Sequence, residues 1–265
     1  LTGASGNMNP VGPEKTFEQA EIIGGMLYES LKTLNFEPVP SQGLLKFARG
    51  KAELPYSIEE VTAEAVKAHA DDLVENMKTV FPRFARDVRG WEAEILERFN
   101  NGPVKSKLDF DMAALNLDGI LFFFTQGEPF CEYQMEAREA FPGKTVFFAG
   151  YTGGQNSYLP SAHAFATRKG YEYEIEQMHI YIKAPYPLSE KMPESYKEAI
   201  FQTIAAVNDA DRYSIIPAPA SLEPRHGENC FKGEPKIKYI EDATIAAEGY
   251  ILDITENSIT VTAST

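Results

Sequence analysis

Cysteine is scarce in this sequence: Cys131 and Cys230 are the only two in 265 residues, and they stand far apart with no CxxC spacing. A thiolate zinc knuckle and a dithiol redox motif are therefore excluded. A single disulfide or two buried free thiols remain, and the second is the expected arrangement. Basic residues are also few, 25 against 39 acidic ones, for a net charge of -14. A surface this acidic repels phosphate backbones and anionic membranes, so nucleic acid is not an expected partner. The same charge suits solubility and favours a local cation site. No apolar run approaches the ~18 residues of a membrane-spanning helix. HExxH, GxSxG, GxGxxG and P-loop patterns are missing, which removes the usual signals for zincins, serine hydrolases and nucleotide binders. Of the four histidines, His69 is read as mid-helix, His179 as a structural strand residue, His163 as a surface residue or weak ligand and His226 as a loop residue. There is neither an initiator methionine nor a signal peptide. The opening "LTGASGNMNP" reads as the middle of a protein, and the chain is expected to be a fragment or a processed piece.

What is present is the material of a folded core, with 43% hydrophobic and 12% aromatic residues. Helical spacing of Ile22, Ile23, Met26, Leu27 and Leu31 predicts a first helix, with Pro13 in its opening turn. Residues 42–50 read as a strand or an extended connection. Ser57 and Glu60 form a capping-box pattern before a second helix, and "VRGWEAEILERFN" predicts a third. The character then changes. "LDGILFFFTQ" is a continuous apolar run, as in a strand covered on both faces; "PFCEYQMEAREAF" is helical; "KTVFFAGY" is a second buried strand and "YEYEIEQ" a third. Residues 108–126 and 143–151 are expected as neighbouring strands, with 129–141 a helix on their sheet. "PESYKEAIFQTIAAVNDA" predicts a last helix.

The fold class expected is α/β, a mixed or parallel sheet flanked by helices, with a small β-rich (α+β) C-terminal piece. Pro217, Pro219 and Pro224 place a boundary near 211–215, between a domain of residues 1–210 and a unit of residues 215–265 that contains a hairpin.

In open α/β sheets the site lies beyond the carboxyl ends of the strands. Glu128 and the turn ending in Tyr158 both follow strand ends. Each also has an ordinary reading: Glu128 as an acid favoured at a helix N-terminus, worth ~0.3–1 kcal/mol, and Tyr158 as a half-buried aromatic. Ser5, Asn7 and Asn9 in "SGNMNP" are hydrogen-bonding residues suited to an active-site loop or simply to a turn.

"GASGNMNP", "GEPFCEY", "GYTGGQNSYLPSAHAF" and "GYEYE", in that order, resemble the later part of the neutral/alkaline non-lysosomal ceramidase family, and more closely its bacterial relatives, over residues ~1–210. The resemblance implies that Glu128 and Tyr158 are two of four zinc ligands. The other two would be histidines from a first half of the domain that this sequence lacks, a half expected as a partner of the chain. Zinc is the implied cofactor, and amide or ester hydrolysis of a small-molecule or lipid- or glycan-derived substrate the implied activity. Asn9 stands where the family loop carries its essential serine, so ceramide itself is not the expected substrate; Asn9 and Asn7 are the candidate catalytic residues of that loop. A secreted or periplasmic location is implied by the same resemblance. "IIPAPASLEPRHGENCF" and "EGYILDITENSITVTAST" resemble the start of the N-terminal accessory domain of family-twenty glycoside hydrolases. That leaves a second class open: a non-catalytic carbohydrate- or lipid-associated binding or scaffold module.

Overall fold

The computed structural model describes residues 2–9, 16–38, 44–77, 82–154 and 157–208, with the backbone of four short strands between 238 and 263. Helix α1 (Phe17–Lys32) begins at Thr16, whose Oγ1 accepts the Gln19 N–H at 3.1 Å. Strand β1 (Leu45–Pro55) leads to helices α2 (Ala63–Met77) and α3 (Pro82–Asn100). The Ser57–Glu60 pattern does not open α2. Thr62 does so, its Oγ1 accepting the Ala65 N–H at 3.1 Å, while the Ser57 N–H is held by the Pro187 carbonyl at 2.8 Å.

The stretch expected as one strand over residues 108–126 is a hairpin, β2 (Lys107–Leu117) and β3 (Ile120–Thr125). Asp118 (φ 51°) and Gly119 (φ 87°) form its turn, and an Asp-Gly pair is the residue choice that a two-residue loop with both φ positive demands. A two-residue strand β4 (Glu128–Pro129), helix α4 (Cys131–Ala140) and strand β5 (Thr145–Ala149) follow. Strands β3 and β5 pair in parallel, Phe122 opposite Phe147, with α4 as the connection. Next come β6 (Tyr158–Leu159) and helix α5 (Ala162–Thr167).

"YEYEIEQ", expected as a strand, is instead a π-helical turn over Tyr173–Gln177 running into helix α6 (Met178–Tyr181), so His179 is helical and not on a strand. The alternation of aromatic and acidic residues matched a period of two, but Ile175 and the consecutive Met178, His179 and Ile180 are all buried, which departs from strand alternation. Helix α7 (Met192–Asn208) closes the domain.

The main sheet is mixed, in the order β1-β2-β3-β5, and α7 lies across β1, β2 and β3. The α/β class is therefore established, with helices around a mixed four-stranded sheet. One core lies between this sheet, α7 and α4, and contains Leu54, Phe110, Phe123, Phe130, Tyr196 and Ile200. A second gathers Trp91, Val66, Ile95 and Ile180 from α2, α3 and α6, with the Trp91 Nε1–H donated to the Ala184 carbonyl at 2.7 Å. Cys131 is a free, half-buried thiol; Cys230 lies outside the described residues, as do Pro13 and the boundary expected at 211–215. Strands β7 (Lys238–Tyr239), β8 (Thr244–Ala247), β9 (Tyr250–Thr255) and β10 (Ser258–Ala263) pair antiparallel in sequence order.

Candidate functional site

The parallel strands β3 and β5 end at Thr125 and Ala149, and the chain beyond each end is laced to the other. The Thr152 N–H donates to Thr125 O (2.9 Å), Tyr151 N–H to Gly127 O (3.0 Å) and Gly127 N–H to Gly154 O (3.0 Å). Gly127 has φ +67°, and a Cβ there would lie 2.5 Å from the Ser157 carbonyl oxygen, so the close approach of the two loops requires glycine. From this knot β4 and β6 emerge as a short parallel ladder in which Glu128 is opposite Tyr158.

The N-terminal loop crosses the same strand ends. Gly150 N–H donates to Thr2 O at 2.8 Å and Gly6 N–H to Pro129 O at 2.9 Å. A side chain on Gly6 would meet the Glu128 carbonyl oxygen at 2.5 Å. Asn7 does two things at the start of α4: its Oδ1 accepts the otherwise free Cys131 N–H at 2.8 Å, and its Nδ2 donates to Glu132 at 2.9 Å. Ser161, the N-cap of α5, donates to the other Glu132 oxygen at 3.0 Å. Backbone and side-chain hydrogen bonds, from Ser161 and Asn7 among others, outweigh the partial burial of Glu132 and hold its pKa below the usual value. Asn7 thus ties the loop to the scaffold under the site, whereas Asn9 is exposed.

Glu128 is buried, 8% exposed, and hydrogen-bonds with the hydroxyls of Tyr151 and Tyr158. Tyr158 has its pKa pushed up to about 12 by burial and then by the charge of Glu128 and a hydrogen bond to it. Tyr151 is pushed up to about 12 by burial, the Glu128 hydrogen bond and the Glu128 charge, partly offset by a hydrogen bond with Ser5. Glu174, on the π-helical turn, has its carboxyl raised by burial first, then by the charges of Glu172 and Glu128. Tyr173 is raised by burial, by Tyr181 and by Glu174 and Glu128. Its ring meets Tyr158 edge-on at 6.2 Å and Tyr181 at 5.7 Å. Four groups around Glu128 therefore shift toward their protonated forms, chiefly through burial and secondarily through the Glu128 charge they share.

Of the residues expected from the sequence, Glu128 and Tyr158 converge. Tyr151, Ser5 and Glu174 belong with them, and of these only Ser5 was singled out in the sequence. Tyr151 carried the same signal as Tyr158, a polar aromatic directly after a strand end. Its backbone is in the left-handed region, φ 59°, a strained state for a non-glycine residue that is concentrated at functional sites. Glu174 was hidden because its segment read as a strand.

Two of the four histidines form a separate cluster, while His163 is exposed and His226 lies outside the described residues. His69 Nε2 and His179 Nε2 are 3.2 Å apart, with one ring donating to the other, and both pack against Trp91. Burial lowers the pKa of both, that of His179 strongly and with help from His69, so the pair is neutral. Among the described residues no group of three or more His, Cys, Asp or Glu side chains is placed to hold a metal ion. No protein-family model, curated protein or solved structure matches the chain.

Proposed function

We propose that the chain carries part of the site of a zinc-dependent, ceramidase-like hydrolase acting on an amide or ester bond of a substrate other than ceramide. The observation that carries this reading is the pairing of Glu128 with Tyr158 across β4 and β6, with Tyr151 as a third oxygen donor on the same carboxylate. The donor set suits a cation. Glu128, Tyr158 and Tyr151 offer oxygen atoms of the kind zinc accepts, and a divalent ion would neutralise the Glu128 charge that adds to the tyrosine shifts. A bound zinc would polarise the scissile carbonyl and lower the pKa of an attached water. Without a cation, Tyr151 and Tyr158 remain phenols at neutral pH and act as donors toward Glu128. Ser5, beside Tyr151, is the loop hydroxyl positioned to orient a substrate oxygen. Three oxygens with no nitrogen or thiolate ligand make a weak site, so the affinity of this chain for zinc is expected to be low until histidine donors join it.

Equilibrium dialysis with zinc, followed by elemental analysis, tests the reading on the chain and on Glu128→Gln and Tyr158→Phe. Reduced zinc retention in both variants supports it. Equal retention in all three proteins overturns it.

The second reading, a binding module for glycan, is favoured by the exposed rings of Tyr151, Tyr173 and Tyr181 beside acidic side chains, an arrangement suited to stacking on a sugar. Binding of oligosaccharides that is unaffected by chelator and lost in Tyr173→Ala would select it.

A further inference from the structure

Among the described residues, the helices that pack on the main sheet cover one of its faces. Along β1 and β2 every second side chain from Leu45 and Lys107 onward points away from α7, and β3 and β5 continue the same rows. One row runs Phe47, Leu115, Phe122, Phe147, and the row beside it begins with Leu45 and Leu117. Phe122 stacks on Phe147 at 5.6 Å, yet Phe47 is 48% and Phe147 42% exposed. Among the described residues no helix packs on this side. A sheet face this apolar is covered in a stable protein, by helices or by another sheet.

We propose that a second copy of this chain covers it, the two sheets packing face to face about a two-fold axis. Charge argues for this occupant. The chain as a whole is at -14, so two copies repel over most of their surfaces. On the outer face of the sheet the balance is different. Phe47, Leu115, Phe122 and Phe147 form a charge-free end, and the rest of the outer face carries three cations (Arg49, Lys51, Lys107) and three anions (Glu53, Asp109, Asp111), which balance. Lys107 pairs with Glu53 at 3.1 Å and Lys51 with Asp111 at 3.8 Å across the strands. This charge-balanced patch does not repel a copy of itself, as an isologous interface requires, in which the same surface is contributed by both partners. Aligned sheets pack about 10 Å apart, which lets the phenylalanine rows of the two copies interdigitate.

Sedimentation equilibrium of the full chain, from low to high micromolar concentration, tests the proposal. A reversible dimer is expected, with Phe47→Asp and Phe147→Asp each raising the dimer dissociation constant at least ~100-fold, the loss of roughly 3 kcal/mol, while the far-ultraviolet circular dichroism stays unchanged. A second measurement leaves the rest of the face intact: the photo-crosslinking amino acid p-benzoylphenylalanine at position 47 should join two chains, with the adduct in a peptide of Leu115–Phe124 or Phe147. A monomer at every concentration overturns the proposal. So does a crosslink from position 47 to α1 of the same chain, or binding of the monomer to neutral phosphatidylcholine vesicles in place of dimerisation.

Discussion

Glu128 and Tyr158 are register partners in a ladder only two residues long, just beyond the carboxyl ends of β3 and β5, and the Tyr158 hydroxyl hydrogen-bonds the Glu128 carboxylate. Burial and the Glu128 carboxylate together hold the Tyr158 proton to about pH 12, and Tyr151 responds to the same carboxylate in the same direction. One acid thus adds to the shift of two phenols that come from separate loops.

Glu128→Gln is therefore expected to let Tyr151 and Tyr158 ionise at lower pH. Their values should stay above the ordinary 10, because burial, the first cause of each shift, is unchanged. Tyrosinate absorbance followed from pH 9 to 13 measures this, with Tyr151→Phe and Tyr158→Phe assigning the two transitions. Unchanged titration in the glutamine variant would show that the carboxylate does not face the phenols.

The pair His69–His179 predicts loss of stability in mild acid. Both pKa values are lowered from 6.5 on folding, chiefly by burial, with Asp72 opposing the shift at His69. Above about pH 6.5 both rings are neutral in the folded and unfolded chain, and stability does not depend on them. Below it the unfolded chain takes up protons that the folded one refuses, so stability falls as the pH drops toward the folded values. Denaturant unfolding at pH 7.5, 6.5 and 5.5 should show this decline in the parent protein and a shallower one in His179→Phe. Parallel declines would remove the pair as the cause.

At Gly127 an added methyl group meets the Ser157 carbonyl, and φ +67° disfavours any side chain. Gly127→Ala should cost about 1–3 kcal/mol, the usual range for overpacking. It should also separate the two loops enough to change the Tyr158 titration. Chemical denaturation gives the first effect and absorbance the second.

Asn116 is buried in β2, where its Nδ2 donates to the Val207 carbonyl at 2.8 Å near the end of α7 and its Oδ1 accepts the Gly119 N–H at 2.8 Å. One side chain thereby joins the hairpin turn to the helix that covers the sheet. Asn116→Leu leaves both backbone groups without this partner and should destabilise the protein by about 1–3 kcal/mol for each group left buried and unpaired. A change below ~0.5 kcal/mol in denaturant unfolding would show that water replaces the side chain.

The elements legible in the sequence are those whose signals are local and strong. The helices α1, α3, α4 and α7 follow from apolar spacing, and the parallel pair β3–β5 from two uninterrupted apolar runs around a short helix. From that pair followed the position of a candidate site beyond their ends, with Glu128 and Tyr158 as its expected residues. The Asp118–Gly119 turn was also legible in the sequence but was absorbed into the apolar run on either side of it. Other features depended on contacts distant in sequence. The segment at Tyr173–Gln177 alternates like a strand, but packing of Ile175 and Met178 against the rest of the chain favoured a π-helical turn, since local propensity is weaker than burial. His69 and His179, 110 residues apart, carry no mutual spacing signal, and only the fold brings their rings to 3.2 Å. Tyr151 and Glu174 became part of the Glu128 site in the same way, because the electrostatic field of a buried carboxylate acts through space on whatever the tertiary structure sets beside it.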